Sequence, residues 1–408
     1  MNGLFGPEEG WPLAPVAAWL YTEGRRLPDP IALINGLAAQ LDAAGARVDR
    51  IRFTSGTLHP QLMAWGAFWN RGAPAELWEG RHGILESDAY LGSPAQHVRE
   101  KGLPYRRRLE QVADDDHPVL HEMRAEGMTD YYAAPLVSST GTVSFFAVAT
   151  TLPRGFDDAD LARFDALVNL LAPLIEILNG RRVTLGLLDA FVGPRISGRI
   201  LSGQVKRGDG ERIEAAFWYS DLRGFTRLSE SLEPAKLLRL LNDYFETCAN
   251  AAAARGGEIL QFIGDAVLIV FEIRRPEDEP AVCGAALDAA IDAFASVAVL
   301  NHQRRRHGDP PIEFGLGLHL GTVTHANVGA PYRLAFNVVG PAVNKTARIQ
   351  AITKEAGVPL LMSQEFAARI RRPLRSAGRF DLRGVAGTQE LFALPEDGGT
   401  SELLQDPI

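Results

Sequence analysis

Two apolar segments, each with one aspartate at its end or turn, decide the fold of this chain. The first reads Phe217-Trp218-Tyr219-Ser220-Asp221-Leu222-Arg223-Gly224-Phe225-Thr226. The second reads Gln261-Phe262-Ile263-Gly264-Asp265-Ala266-Val267-Leu268-Ile269-Val270. The first pattern predicts a strand that ends at Asp221, and the second predicts a hairpin with Gly264-Asp265 at its tip. Because strand, helix and hairpin follow one another, we expect the two aspartates to lie side by side.

A single aspartate at a strand end is usually a turn or cap residue, so neither Asp221 nor Asp265 would indicate a site alone. Two carboxylates held close together repel each other unless a cation lies between them. Oxygen ligands of this kind favour Mg²⁺ or Mn²⁺ over softer metals. The pair therefore predicts a site for a hard divalent cation.

The segments around this pair predict a mixed fold. The helix between the two aspartates has one apolar face, formed by Leu237, Leu238, Leu241, Tyr244, Phe245 and Cys248. Further helices are predicted at 281–300 and 344–353, and further strands at 312–320, 334–339, 359–362 and 379–394. This order is typical of a ferredoxin-like α+β fold with an antiparallel-rich sheet and packed helices.

A third motif extends the pattern downstream: Val338-Val339-Gly340-Pro341-Ala342-Val343-Asn344-Lys345-Thr346-Ala347-Arg348. Together with Asp-Leu-Arg-Gly-Phe-Thr from Asp221 and Phe-Ile-Gly-Asp-Ala-Val from Phe262, it resembles the class III nucleotidyl cyclases, the adenylate and guanylate cyclase family. The resemblance covers about 211–394.

The resemblance implies a role for each motif residue. Two metal ions, Mg²⁺ or Mn²⁺, would be held by the side chains of Asp221 and Asp265 and by the carbonyl of Leu222. They would assist attack of the ribose 3′-hydroxyl of ATP on the α-phosphate, with release of pyrophosphate. Asn344 would orient the ribose and Arg348 would neutralise charge on the α-phosphate.

Phosphate contacts are predicted at two further places. The helix start at Gly224, Phe225 and Thr226 presents backbone N–H groups that can face phosphate. Leu382-Arg383-Gly384 resembles the place where the family puts a basic residue on the β- and γ-phosphates, so Arg383 is assigned there.

In the resembled family each site is shared, with metal carboxylates from one catalytic domain and the base-reading residues, Asn and Arg from its partner. This chain carries both sets in one domain, which predicts a head-to-tail homodimer with two equivalent sites. The base-reading positions are Gln261 and Asn337. Both are amides that can donate or accept, so neither purine is excluded. We expect ATP as substrate, with a guanylate or relaxed-specificity cyclase as the alternative.

Other functional classes are also open. A catalytically silent nucleotide-binding regulatory module would keep the fold, but the presence of Asp221, Asp265, Asn344 and Arg348 argues against silence. A diguanylate cyclase of the GGDEF type has a related order of elements. Its hairpin signature is absent at Gly264-Asp265.

The first 178 residues are predicted to form a regulatory domain. Helix, paired strands, helices, a hairpin within 129–150 and a final helix ending at Asn179-Gly180 follow in order. With the phrase Tyr131-Tyr132-Ala133-Ala134-Pro135-Leu136, this resembles a GAF-like α/β sensor domain that would take an unidentified small ligand or signal. Five of the six tryptophans lie in the first 80 residues, which fits core packing or an aromatic ligand pocket. Residues 179–210 are predicted to be a helical transducing linker, 211–395 the catalytic domain and 396–408 a polar tail.

Composition limits the remaining possibilities. A length of 408 residues predicts two or three domains. A net charge of −8 argues against a general nucleic-acid binder, which would be basic. The cysteines, Cys248 and Cys283, have no ligand spacing, and the N-terminus lacks a basic leader pattern. No apolar run is expected to reach the length of a membrane span, so we expect a cytoplasmic protein without a membrane partner.

Overall fold

The computed structural model describes residues 10–330 and 332–395 of the chain. The chain divides into two compact units, residues 1–191 and 192–408, called unit 1 and unit 2 below. The polar tail predicted at 396–408 lies outside the described residues.

Unit 1 is built on one antiparallel sheet. Its strands are β1 (Arg50–Gly56), β2 (Leu62–Asn70), β3 (Glu76–Arg81), β4 (Tyr105–Arg108), β5 (Asp130–Val137) and β6 (Val143–Thr150). They lie in the order β3-β2-β1-β6-β5-β4, and β5 and β6 are the predicted hairpin. Its helices are α1 (Leu13–Thr22), α2 (Pro30–Ala43), α3 (Pro94–Lys101), α4 (Pro118–Ala125) and α5 (Asp158–Val192).

The alternation of side chains along β1 separates two cores. Ile51 and Phe53 face one side and pack in a cluster with α1, α2 and α5. Arg52 and Thr54 face the other side, where a smaller cluster forms around α3 and α4. His117 caps α4, because its Nδ1 accepts the N–H of Val119 at 3.2 Å.

The final helix of unit 1 is longer than the sequence predicted. Asn179-Gly180 was expected to end it, but α5 continues to Val192. The side chain of Asn179 makes tertiary contacts instead of a cap. It accepts a hydrogen bond from Nε1 of Trp65 at 2.8 Å and donates one to the carbonyl of Gly56 at 3.0 Å. These contacts hold the helix against the sheet through the residues where a stop was expected.

Unit 2 contains a second sheet of eight strands. They are β7 (Gly210–Leu222), β8 (Glu258–Ile263), β9 (Ala266–Ile273), β10 (Phe314–Ala330), β11 (Arg333–Val339), β12 (Leu360–Ser363), β13 (Arg375–Phe380) and β14 (Gln389–Ala393). The order is β13-β14-β12-β10-β7-β9-β8, with β11 paired to β10. Among the described pairings only β10 with β12 is parallel, which confirms the antiparallel-rich mixed architecture.

Six helices accompany this sheet: α6 (Pro194–Leu201), α7 (Phe225–Ser231), α8 (Pro234–Ala253), α9 (Glu279–Arg306), α10 (Pro341–Ile352) and α11 (Gln364–Ala367). Helices α8 and α9 bury one face of the sheet in a core that includes Trp218 and Leu222. Cys248 and Cys283 are both buried there as free thiols.

The expectation that no apolar run reaches the length of a membrane span is wrong as a statement about composition. The helical segment Pro276–Arg306 is long and apolar enough to cross a membrane. One face of this helix, with Ala286, Ala290 and Phe294 among its residues, is buried in the core of unit 2. Packing against the sheet therefore accounts for the apolar character of α9.

Helix α10 lies on the opposite face of the sheet, over three glycines of β10. A Cβ at Gly317 would stand 2.7 Å from the carbonyl oxygen of Thr346 and 2.7 Å from the amide nitrogen of Gln350. A Cβ at Gly315 or Gly321 would also meet α10 or the residue that follows it, at 2.4 Å and 2.8 Å. Because these three positions of β10 have no side chain, the backbone of α10 can approach the strand.

We expect Gly317→Ala to destabilise unit 2 by about 1–3 kcal/mol, because the added methyl group meets helix backbone that has no room to relax. The variant should also disturb the position of α10, which carries Asn344 and Arg348. The matched control is Gly284→Ala in α9, where a Cβ has open space and alanine favours the helix. Thermal unfolding midpoints measure both variants, and equal midpoints for the two would contradict this account of the packing.

Candidate active site

The two aspartates meet at the end of β7. Asp221 pairs across the sheet with Ala266 of β9 on one side and with Gly315 of β10 on the other. Asp265 immediately precedes Ala266, in the tight turn between β8 and β9. Gly264 has a φ of +64°, which the turn requires and which glycine adopts without strain. The two side chains are close enough to share a hydrogen bond.

This closeness raises the pKa of Asp221. Burial contributes most, followed by the charge of Asp265, and together they raise the pKa of the Asp221 carboxyl to about 7. The same two carboxylates, after burial, raise the pKa of the neighbouring Tyr219. In the part of the chain that the structure describes, no lysine or arginine forms an ion pair with either carboxylate. The pair is therefore a concentration of negative charge without a protein counter-ion.

The donor set fits a hard divalent cation. It consists of two carboxylates and the backbone of Leu222, whose side chain is buried in the core and whose amide donates to Asp221. Within 10–330 and 332–395, no group of three acidic, cysteine or histidine side chains assembles a complete metal site. Oxygen donors in this number suit Mg²⁺ or Mn²⁺, which keep further positions for water and phosphate oxygens.

Helix α7 begins directly after this site. Gly224 precedes its first residue and has a φ of +69°, and Phe225 and Thr226 form its first turn. The N–H groups of a first helical turn have no partner within the helix. The predicted phosphate contacts at 224–226 thus lie next to the carboxylates in sequence and at the same end of β7.

Arg348 of the third motif lies near the β13–β14 connection, which carries Arg383. Asn344 is exposed and Arg348 half-buried on α10. Nη2 of Arg348 lies 3.6 Å from the place that a Cβ at Gly384 would occupy. Arg383, the adjacent residue, is exposed. The structure therefore brings the two arginines assigned to phosphate into one neighbourhood.

The two base-reading amides do not meet within one chain. Gln261 of β8 lies opposite a residue of β9 that in turn lies opposite Tyr219 of β7. Asn337 of β11 lies opposite a residue of β10 that in turn lies opposite Gly210, at the other end of β7. Tyr219 and Gly210 are about 30 Å apart along an extended strand. The structure therefore does not bring the two predicted base-reading amides together on one chain, whereas the resemblance places both on the same catalytic domain.

Comparison with known proteins identifies the catalytic half of the chain. The family model of the adenylate and guanylate cyclase catalytic domain matches residues 211–394. Residues 211–394 are a class III cyclase catalytic domain. The match begins in β7 and ends after β14, so it contains every site residue described above.

The similarity to individual relatives covers only part of the length of each relative. The adenylate cyclase of Anabaena cylindrica is 30% identical over 214 residues, which are 50% of this chain and 41% of that protein. Adenylate cyclase 1 of Rhizobium meliloti (strain 1021) is 29% identical over 175 residues, 41% of this chain and 25% of that protein. The chain thus spans less than half the length of these curated relatives. The crystal structure of the adenylyl cyclase CyaB from P. aeruginosa is 28% identical, with a TM-score of 0.41 over 45% of this chain and 94% of that one.

A buried polar cluster beneath the cyclase site escaped the sequence analysis. Nε1 of Trp218 and the hydroxyl of Tyr244 each donate to Oγ of Ser220 at 2.8 Å. Ser220 precedes Asp221 and faces the opposite side of the sheet, so the cluster fixes the end of β7 to α8. The signal was the polar Ser220 between buried apolar positions, but its partner Tyr244 is 24 residues away in sequence.

A second network fixes α10 in the cyclase domain. Nδ1 of His319 lies 2.8 Å from Oγ of Ser363, and Nζ of Lys345 donates to Glu365 at 2.6 Å. Burial and, second, the charge of Lys345 lower the pKa of His319 to about 4, against the weaker opposing effect of Glu365. His319 is therefore neutral at pH 7, and its 3.8 Å approach to Glu365 is not an ion pair there.

We expect His319→Gln to reduce the acid sensitivity of unfolding. The pKa of this histidine rises from about 4 in the folded chain to 6.5 when unfolded. Its contribution to the free energy of unfolding is thus complete above pH 6.5 and is lost between pH 6.5 and 4, by roughly 2–4 kcal/mol. Urea denaturation at pH 7 and pH 4.5 measures the difference, with exposed His302→Gln as control. A variant that keeps the full acid sensitivity of the wild type would refute this role.

Proposed function

We propose that the chain is an adenylate cyclase that converts ATP to 3′,5′-cyclic AMP and pyrophosphate, regulated through unit 1. The observation that carries the proposal is the Asp221–Asp265 pair, held at the end of β7 without a protein counter-ion. Such a pair is unfavourable alone and becomes favourable when it holds the cation that accompanies a nucleoside triphosphate. The adenine preference is supported by the two relatives above that are named adenylate cyclases.

Each residue has a defined part in the proposed reaction. Asp221, Asp265 and the carbonyl of Leu222 hold the metal ions, which when bound supply positive charge to the triphosphate and acidify the ribose 3′-hydroxyl. Asn344 orients the ribose so that this hydroxyl faces the α-phosphorus. Arg348 neutralises the charge that grows on the α-phosphate oxygens.

The bond changes are simple. The 3′-oxygen forms a bond to the α-phosphorus while the bond from that phosphorus to the bridging oxygen of the β-phosphate breaks. Arg383 and the first-turn N–H groups at Gly224, Phe225 and Thr226 stabilise the pyrophosphate that leaves. The hydroxyl proton passes to solvent, because the residues of the site include no dedicated side-chain base. Positioning and charge thus supply the catalysis.

The active unit is proposed to be a homodimer with two equivalent sites. The resemblance supports it, because one site of that family combines residues of two catalytic domains and this chain carries both sets in one domain. A head-to-tail partner would place the base-reading residues, Asn344 and Arg348 of one chain opposite the carboxylates of the other. The two-fold symmetry of such a dimer then gives a second, equivalent site.

Regulation would reach the cyclase domain through α6. Arg195 forms a two-point ion pair with Glu272 at 2.9 Å and 3.0 Å, and its amide donates to Glu258 at 3.3 Å. Glu258 and Glu272 lie on β8 and β9, the hairpin whose tip carries Asp265. A displacement of α6 would therefore act on the hairpin that supplies a metal ligand. The order of elements in unit 1 supports its proposed GAF-like sensor role.

Turnover of the purified chain with ATP and, separately, with GTP tests the proposal, in Mg²⁺ and in Mn²⁺. Cyclic AMP from ATP, absent with Asp265→Ala, is the expected result. Cyclic GMP as the main product would assign the amides Gln261 and Asn337 to guanine. No product from the full chain or from residues 192–408 would favour a silent nucleotide-binding module.

A further inference from the structure

Unit 1 contains a cavity that no cyclase chemistry requires. It lies on the sheet face that carries Arg52 and Thr54, and has a volume of about 280 Å³. This is close to the lower end of the range for small-molecule sites. The side chains that define its character are Arg52, Phe68, Trp78, Tyr90, Arg99 and Phe145. Its lining includes two arginines and no acidic residue.

Arg52 presents a guanidinium group to this cavity without a carboxylate partner. Its Cζ lies 3.9 Å from the centre of the Phe68 ring. In the described part of the chain Arg52 forms no ion pair, and burial lowers its pKa. Neighbouring Arg50, on the same strand face, pairs with Glu126 instead. Glu122 and Glu126 act on Arg52 only through weaker charge interactions. A half-buried cation without an ion-pair partner is costly, so a bound anion would relieve that cost.

Arg99 adds a second positive charge from the other wall. It lies on α3, four residues after Ala95, which also lines the cavity. It interacts with the hydroxyl of Tyr90 and forms no ion pair among the described residues. Other partly buried arginines of this sheet, such as Arg106, pair with carboxylates. Two unpaired guanidinium groups on one cavity are what recognition of a carboxylate or phosphate requires.

The rest of the cavity is suited to a flat apolar group. The rings of Phe68 and Trp78 are stacked, with centroids 5.9 Å apart and planes inclined by 26°. Ser55 and Ser144 lie at another part of the wall, joined by a hydrogen bond of 3.1 Å. Aromatic walls with a few fixed polar groups are the usual composition of a small-ligand site.

We infer that this cavity binds a small organic anion, with its carboxylate or phosphate on Arg52 and Arg99 and a flat apolar body against Phe68 and Trp78. The inference deepens the proposed regulatory role of unit 1 and rests on it for its biological consequence. Binding itself is measured without turnover, so failure here leaves the proposed cyclase reaction untouched.

Isothermal titration calorimetry on the full chain tests this with matched probes. Naphthalene-1-acetate is compared with naphthalene-1-acetamide, and 1-naphthyl phosphate with 1-naphthol. We expect at least one anion to bind about tenfold or more tightly than its neutral partner, because charge-assisted hydrogen bonds are lost in the neutral probe. The better anion distinguishes a carboxylate ligand from a phosphate ligand.

Substitutions of the lining residues test whether the anion binds in this cavity. Arg52→Gln and Arg99→Gln should each weaken anion binding about tenfold or more and leave the neutral probes unchanged. Trp78→Leu should weaken both members of a pair, and Arg25→Gln, at an exposed arginine, should change neither. Thermal unfolding of each variant verifies folding, and Arg52→Lys should recover part of the affinity. Equal binding of acid and amide, unchanged anion binding in both arginine variants, or no binding by any probe would overturn the inference.

Discussion

Replacing Asp265 by asparagine is expected to remove cyclase turnover while leaving the metal-free protein at least as stable as the wild type. Loss of one of two metal carboxylates removes several kcal/mol of transition-state stabilisation, equivalent to about a thousandfold or more in rate. The same change removes the charge that, after burial, raises the pKa of Asp221 to about 7. The repulsion between the two carboxylates in the metal-free protein is therefore lost together with the activity.

The sign of the stability effect depends on pH. A carboxyl whose pKa is raised by folding, from 3.8 to about 7 for Asp221, costs stability as the pH rises through that interval. At pH 8 with a chelator, the unfolding midpoint of Asp265→Asn should thus equal or exceed that of the wild type. Added Mn²⁺ should raise the wild-type midpoint and have a smaller effect on the variant.

The control for this experiment is Glu246→Gln, an exposed carboxylate on α8. It removes the same charge from the same unit, and should keep both turnover and the stabilisation by Mn²⁺. A variant Asp265→Asn that retains turnover, or that unfolds well below the wild type in chelator, would contradict the metal role of the pair.

The elements that sequence predicted best are those decided by neighbouring residues. The strand ending at Asp221, the hairpin tip at Gly264-Asp265 and the apolar stripe of α8 each follow from local alternation, turn chemistry or helical period. The antiparallel sheet brings the two aspartates together through strand pairing, so the pair could be foreseen from two local patterns. The raised pKa of Asp221 then follows from burial and from the nearby charge of Asp265.

What the sequence did not reveal depends on contacts between distant residues. The approach of α10 to β10 requires Gly315, Gly317 and Gly321 to face that helix, which alternation alone does not tell. The continuation of α5 past Gly180 depends on Asn179 binding Trp65, more than a hundred residues earlier. That Arg52 forms no ion pair in the described part of the chain is visible only in the fold, where Glu126 pairs with Arg50 instead.

Mixing two inactive variants is expected to restore activity if each site is shared between chains. Asp265→Ala retains the arginine but lacks a metal ligand, and Arg348→Ala has the opposite defect. In an equal mixture half of the dimers are heterodimers, each with one intact site. Turnover should therefore recover to about a quarter of the wild-type value, measured as cyclic nucleotide formed per chain.

A chain that carries both substitutions provides the complementary experiment. In a shared-site dimer, the double variant Asp265→Ala, Arg348→Ala destroys both sites of any wild-type chain it joins. An equal mixture should then lower the turnover of the wild-type chains present to about half. If each site lay within one chain, the double variant would leave the wild type unaffected and the two single variants would not complement. The resemblance favours the first outcome, because it assigns Asp265 and Arg348 to opposite sides of a shared site and this chain carries both residues in one catalytic domain.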